Sequence, residues 1–385
     1  MSPALGAVAQ MLHDKRVIVC CGAGGVGKTT VSASLALAAA RAGRRVLVVT
    51  VDPSRRLAET LGVGRNPPEP VVLPDDRLAA AGIAPGRLSA WMLDPQLVSD
   101  RVVRAFSRDP ARARDLLQNR IYKNVTAMIA GMQEYTAVEA LHAFVRDDTY
   151  DLVILDTPPS RDALRFLDAP HRVAGFLDRR IFNLFVPGEG GAIRRVATAL
   201  IEKVMDTAFG QETRRDLQQF FELFGNLLDH LNHNQAEMQA FFRRPEVGFV
   251  LVTSPAREAL EEAEFFAKKT RDELAMHLCG YVLNRSFAAR ARAEMPDPAS
   301  LPDDAPAPLR AAVEKLAALA TTERAAVDAH AALAADLERR AGPAGFAWVL
   351  PALGGGASSI ADLVALADAL VAPTPPGARA EETAP

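Results

Sequence analysis

The chain has 385 residues, 49% of them apolar and 24% charged, with 44 basic against 47 acidic side chains for a net charge of −3. That balance describes a globular protein with a sizeable core, and it excludes a global electrostatic pull toward nucleic acid or an anionic membrane. Three cysteines, Cys20, Cys21 and Cys279, are too few for a disulfide framework and hold no pair at zinc-site spacing, and no apolar run approaches the roughly 18 residues that cross a bilayer, so the sequence reads as a reduced, cytoplasmic protein.

Short β-branched runs alternate with longer helical patterns, the signal of a parallel sheet wrapped by helices. The first run, 16–21, leads into a glycine-rich turn and then an alanine-rich helix over 29–42, ended by Gly43. The run 45–51 is almost wholly apolar, as suits a strand buried on both faces. Segments 151–155, 248–253, 278–283 and 345–350 repeat that pattern, and 88–93 is a weaker candidate. Long helical patterns occupy 255–274 and 309–340, whereas 64–87, 295–308 and the end of the chain are rich in turn residues and read as connectors. The expected fold is therefore α/β, a doubly wound and mostly parallel sheet.

Segment 175–245 breaks the alternation. It has only helical patterns and holds 9 of the 17 phenylalanines, so it reads as an inserted helical subdomain. Leu217, Phe220, Phe221, Phe224, Leu227, Leu228 and Leu231 fall at helical spacing on one broad face. The expected organisation is a core in two parts, 1–174 and 246–371, separated by the insert 175–245 and followed by a disordered tail, 372–385.

Gly22-Ala23-Gly24-Gly25-Val26-Gly27-Lys28-Thr29-Thr30 fits the phosphate-loop pattern of Gly, four residues, Gly, Lys, then Ser or Thr, and it lies between a strand and a helix. Glycines let successive backbone N–H groups turn inward on an anion, and the helix start adds its positive dipole end. The spacing predicts Lys28 on the β- and γ-phosphates of ATP and the Thr29 hydroxyl on Mg2+. The fold expected is that of a P-loop NTPase.

The ordered set GAGGVGKTT, LVVTVDPSRRLAETLG, LVILDTPPSRDALRFLDAP, TSPAREALEEAEFFAKKT and GYVLNR resembles the ArsA-type ATPases, a family that includes the arsenical-pump ATPase and the targeting ATPase for tail-anchored membrane proteins. The similarity is strongest to a bacterial anion-transporting ATPase subgroup without the family's signature lysine. It covers most of the chain outside the insert. The resemblance implies Mg-dependent ATP hydrolysis, with Asp52 in the first switch loop orienting the attacking water and Asp156 holding a magnesium-bound water. It also implies that Asn284 reads the adenine edge and that Pro351 helps wall the base. Taken by their residue types alone, Asp52 before Pro53 also suits a helix start, and Asn284 also suits a turn.

Two departures from the family pattern bear on mechanism. The signature lysine, which in the family reaches the partner subunit's nucleotide, is replaced by Ala23, which cannot make a charge-assisted contact. Arg55, Arg56 or Arg161 could serve as the missing cation, or a paralogous partner could bring it. Cys20 and Cys21 are adjacent on a strand and point to opposite faces, so neither zinc nor arsenite is expected as a ligand.

The resemblance implies a homodimer, or a heterodimer with a paralog, and a membrane-protein client or membrane partner, with no nucleic acid. The Phe-rich insert could form a client groove or simply its own closed core. Two functions stand side by side: an ATP-hydrolysing switch, and a catalytically weak regulatory subunit that binds ATP beside an active paralog.

Overall fold

The computed structural model describes residues 6–50, 61, 69–93, 100, 103–104, 109–119, 122, 140–157, 237, 240–289, 297–302, 305–353, 357 and 359–372. In chain order these form α1 (Ala7–Asp14), β1 (Val17–Cys21), α2 (Lys28–Arg41), β2 (Val46–Thr50), β3 (Val71–Val72), α3 (Asp75–Ala80) and β4 (Leu88–Met92). They continue with α4 (Pro110–Gln118), β5 (Leu152–Asp156), β6 (Val247–Thr253), α5 (Arg257–Lys268), β7 (Leu278–Ser286), α6 (Ala307–Ala341), β8 (Phe346–Pro351) and α7 (Ile360–Val371).

By internal contacts the chain divides into two compact units, one of Met1–Met92, Thr149–Ser160 and Arg244–Pro385, the other of Leu93–Asp148 and Arg161–Arg243. The first unit holds one eight-stranded sheet in the order β3-β4-β2-β5-β1-β6-β7-β8. All its pairings are parallel except β3 with β4. The expected α/β class and mostly parallel sheet are what the structure has.

The apolar composition of the strands explains this arrangement. Every residue of β1, β2, β4, β5 and β6 is buried, which a strand achieves only when both faces of its sheet are covered. The weak candidate at 88–93 is thus a fully buried strand, second from the edge of the sheet, with Trp91 1% exposed. Along β1, Ile18 and Cys20 join the core layer that also takes in α1, α2 and α7, while Val17, Val19 and Cys21 belong to the other face.

Helix α2 is rich in Ala and Ser because it is enclosed: residues from Val31 to Ala40 are all buried, and α7 packs along it. Small side chains let neighbours approach closely at low cost in side-chain entropy. Where a large one does occur, as at Leu35 with 1% exposure, its truncation to Ala costs about 2–5 kcal/mol.

The stretch 64–87, read as a connector, contains β3 and α3. Its prolines and glycines mark the joints: Pro74 precedes α3, and Gly82 and Gly86 turn with positive φ, leaving room between them for two short elements. At the opposite end of the sheet from the glycine-rich loop, the Arg44 guanidinium donates to the carbonyls of Leu12, Lys15 and Asp151, tying α1 to the start of β2 and β5. In the second unit, Asp109 caps α4 through the Ala111 N–H at 2.8 Å, and Phe241 meets His142 edge-on at 5.4 Å.

Candidate nucleotide-binding site

Residues 22–30 run from the end of β1 into the first turn of α2. Here β5 and β6 flank β1, and the chain crosses from β1 over β5 to reach β2. Such a reversal of direction at the carboxyl ends of parallel strands is where open α/β sheets take their ligands.

The loop is shaped by two glycines for distinct reasons. A Cβ on Gly22 would lie 2.0 Å from the Val252 carbonyl oxygen, so the end of β6 presses directly on the loop's first residue. Gly27 has φ of +93° and caps the N-terminus of α2 in the left-handed region. A Cβ there would meet Asn284 Nδ2 at 2.3 Å. Gly24 and Gly25 are exposed at the loop's tip, Ala23 and Val26 are buried under it, and Thr30 is half-buried in the first turn of α2.

Lys28 is 7% exposed and folds its ammonium back over the loop, donating to the Gly22 carbonyl at 3.0 Å and the Ala23 carbonyl at 2.9 Å. The Thr29 hydroxyl donates to Asp156 Oδ2 at 2.7 Å. Asp156 ends β5 with no solvent exposure. The same oxygen accepts from the Thr50 hydroxyl, at the end of β2, at 3.1 Å. Next along the chain, Thr157 donates through both its hydroxyl and its N–H to the Cys20 carbonyl, at 2.8 and 3.3 Å, holding the end of β5 against β1.

A hydroxyl beside a carboxylate is a hard oxygen donor pair of the type Mg2+ takes, generally with water and phosphate oxygens completing its octahedron. The donor chemistry and the open space beside Gly25 at the loop's tip both fit Mg-ATP. Among the described residues, no group of three or more His, Cys, Asp or Glu could hold a metal by itself.

Asn284 lies in β7 with 5% exposure. Its Nδ2 donates to the Val26 carbonyl at 2.8 Å, and its Oδ1 accepts from the Arg285 N–H at 2.9 Å. Arg285 has φ of +58°, a conformation few non-glycine residues take, at the irregularity where β7 and β8 slip register. The bond from the Arg285 N–H to Oδ1 leaves Nδ2 as the atom that faces the loop. Pro351 ends β8 opposite Ser286, on the strand next to Asn284.

The structure thus brings together Gly22, Gly24, Gly25, Val26, Gly27, Lys28, Thr29, Thr30, Asp156 and Asn284, with Pro351 on the adjoining strand end. Asp52, Arg55, Arg56, Arg161 and nearly all of the insert 175–245 lie outside the described residues. Reading the sequence missed Thr50 and Thr157. The available signal was a single polar residue closing the apolar strand 46–50, and another directly after Asp156.

Burial governs the thiols nearby. The Cys20 thiol is pushed up to about 12, chiefly by desolvation, with the Asp156 carboxylate adding to the rise and the Ser32 hydroxyl and the Lys28 ammonium opposing it. Desolvation also raises Cys21, against a hydrogen bond with Thr157.

A parallel sheet with a glycine-rich loop opening onto a helix, a lysine folded over that loop and an acid at the neighbouring strand's end defines a P-loop NTPase. The family model for anion-transporting ATPases of the ArsA type matches residues 15–292, and the chain belongs to that family. It is 26% identical over 213 residues to a protein of Aquifex aeolicus that carries the name of an arsenical pump-driving ATPase, covering 54% of this chain and 50% of the other. It is 31% identical over 156 residues to an ATPase ASNA1 homolog of Paramecium tetraurelia (39% and 42% of the two chains) and 30% identical over 166 residues to the ATPase GET3 of Kluyveromyces lactis (41% and 46%). The chain spans about half or less of the length of these relatives.

Proposed function

We propose that this chain is a Mg-dependent ATP-binding and ATP-hydrolysing switch protein. One observation carries the reading: in a glycine-rich turn between strand and helix, the Lys28 ammonium folds back onto the loop's own carbonyls while the next residue, Thr29, bonds the acid Asp156 at the end of the neighbouring strand. In binding, the loop's N–H groups and the Lys28 ammonium hold the triphosphate, with Lys28 exchanging the Gly22 and Ala23 carbonyls for the more strongly bound β- and γ-phosphate oxygens. Thr29 and Asp156 would hold the metal. Magnesium when bound neutralises charge developing on the transferred phosphoryl group. Asp52 orients the attacking water, while Asn284 and Pro351 border the adenine.

The family and the names of its ASNA1 and GET3 relatives support a dimer whose nucleotide state controls the helical insert and, through it, a membrane-protein client or a membrane partner. Neither nucleic acid nor zinc nor arsenite belongs to this reading. No described helix is long and apolar enough to cross a membrane. Ala23 favours a second reading, in which the chain binds ATP and regulates an active paralog.

Turnover by the purified chain separates the two. The first requires ATP hydrolysis that Asp52→Asn abolishes. Tight Mg-ATP binding with no turnover, followed by activation on adding a paralog, establishes the second. Absence of Mg-ATP binding refutes both.

A further inference from the structure

The Asp156 carboxyl group is fully buried, and its Oδ2 receives two hydroxyl donors from different elements, Thr29 in the first turn of α2 and Thr50 at the end of β2. Thr50 is 2% exposed and is the register partner of Asp156 on the adjacent parallel strand. We propose that Thr50 is a positioning residue of the metal site, its hydroxyl fixing the Asp156 carboxylate in the orientation a hydrated divalent cation requires. The proposal rests on the Mg-ATP reading above and adds a residue to it.

The geometry distinguishes this role from packing. The second torsion of an aspartate is broad, so a single donor holds the carboxylate in a shallow well about that torsion. A second donor, reaching the same oxygen from the end of β2, narrows that well. The rest of β2 is Val46, Leu47, Val48 and Val49, all buried. A valine at 50 would match threonine in shape and in strand preference, so packing alone gives no reason for a hydroxyl there. The hydroxyl has a chemical partner instead. Because Asp156 is enclosed, losing that donor changes how the carboxylate is held rather than handing the bond to solvent.

The Thr29 contact alone cannot do the same work under the Mg-ATP reading. There the Thr29 oxygen is a metal ligand, and its position follows the cation. Thr50 is not a ligand, so it keeps the acid registered to the sheet whether or not nucleotide is bound. Thr50 also stands two residues before Asp52 in sequence, so the same bond joins the acid of β5 to the strand leading to the proposed water-orienting carboxylate.

The test uses the full chain with Thr50→Val and Thr50→Ser. A fluorescent ATP analogue is titrated in EDTA, then magnesium is added at fixed nucleotide, and steady-state hydrolysis is measured beside it. Thr50→Val is expected to bind metal-free nucleotide within about twofold of the parent and to raise the magnesium midpoint about tenfold, the size of one lost buried hydrogen bond. It lowers kcat more than it raises KM for ATP, and Thr50→Ser restores both values. A purely structural role moves the metal-free affinity and the magnesium midpoint together. A Thr50→Val midpoint equal to the parent's overturns the proposal, as does a Thr50→Ser variant as impaired as Thr50→Val. A parent chain that binds no Mg-ATP overturns the underlying function as well, and that result is distinct from a binding-competent parent matched by its Thr50→Val variant.

Discussion

Asn284 reaches from β7 to the phosphate loop and donates its side-chain amide to the Val26 carbonyl at 2.8 Å, directly above the α carbon of Gly27. Strand β7 therefore braces the loop. Gly27→Ala both forces a Cβ into Asn284 Nδ2 and strains a left-handed residue, the latter costing roughly 1–2 kcal/mol. It is expected to weaken Mg-ATP binding at least about tenfold, and Asn284→Ala about fivefold through the lost bond. The double variant removes the collision but not the φ penalty, so it recovers only part of the Gly27→Ala loss. Calorimetric titration checks this; a double variant with additive losses contradicts the bracing geometry.

The Lys28 ammonium, held by the Gly22 and Ala23 carbonyls, already stands within the loop it is expected to serve. Lys28→Ala is expected to weaken Mg-ATP binding about a hundredfold, two charge-assisted contacts being lost. Lys28→Arg fails as well, since a planar guanidinium does not replace a compact ammonium in an enclosed site. Both variants keep their melting temperature within a few degrees of the parent. Unchanged affinity in Lys28→Ala removes the support for a phosphate site.

The central strands and the phosphate loop were legible because their signals are local: continuous apolar runs at 16–21 and 151–155, and a motif whose spacing encodes backbone geometry. Asp156 was legible from its place at the end of such a run. Thr50 was not, since its importance lies in a neighbour 106 residues away that only the strand order β2-β5-β1 brings close. Asn284 was expected at the base of a nucleotide, and its bond to Val26 joins residues 258 positions apart that only the order β1-β6-β7 brings close. The elements within 64–87 were obscured because β3 has two residues and α3 six, too short for either periodicity to emerge.

His330 couples the long helix α6 to the segment after Asn284. Its Nδ1 accepts the Phe287 N–H at 2.9 Å, and its ring stacks on Phe287 at 5.4 Å and 5°. Only a ring unprotonated at Nδ1 can accept that bond, and burial holds the His330 pKa below its ordinary 6.5. The unfolded chain therefore binds the proton first, so this stabilisation is complete above pH 6.5 and is lost as pH falls through the folded value. His277, lowered by burial and by the Lys15 ammonium, acts in the same direction. The diagnostic is consequently a difference: His330→Phe is expected to be about 1 kcal/mol less stable at pH 7.5 and to lose less stability than the parent between pH 7.5 and 5.5. Urea unfolding at the two pH values measures it, and equal losses in parent and variant refute the assignment.

Cys20 and Cys21 are at most 1% exposed and Cys279 is 5% exposed. Desolvation raises all three thiols, although the Lys15 ammonium partly offsets the rise at Cys279. Thiolate is the reactive form and the form that soft metals and arsenite bind, so burial suppresses both labelling and coordination. Cys20 and Cys21 also lie on opposite faces of β1, where they cannot close on one ion without unpairing the central strand of the sheet. In the native protein an aromatic disulfide reagent is expected to titrate fewer than about one thiol per chain over minutes, with Cys279 the first to react, and all three after unfolding. Arsenite at millimolar concentration is expected to leave this slow labelling unchanged. Rapid release of two equivalents from the native chain, or protection of both by arsenite, would mean that β1 opens in solution and that the adjacent cysteines form a ligand pair after all.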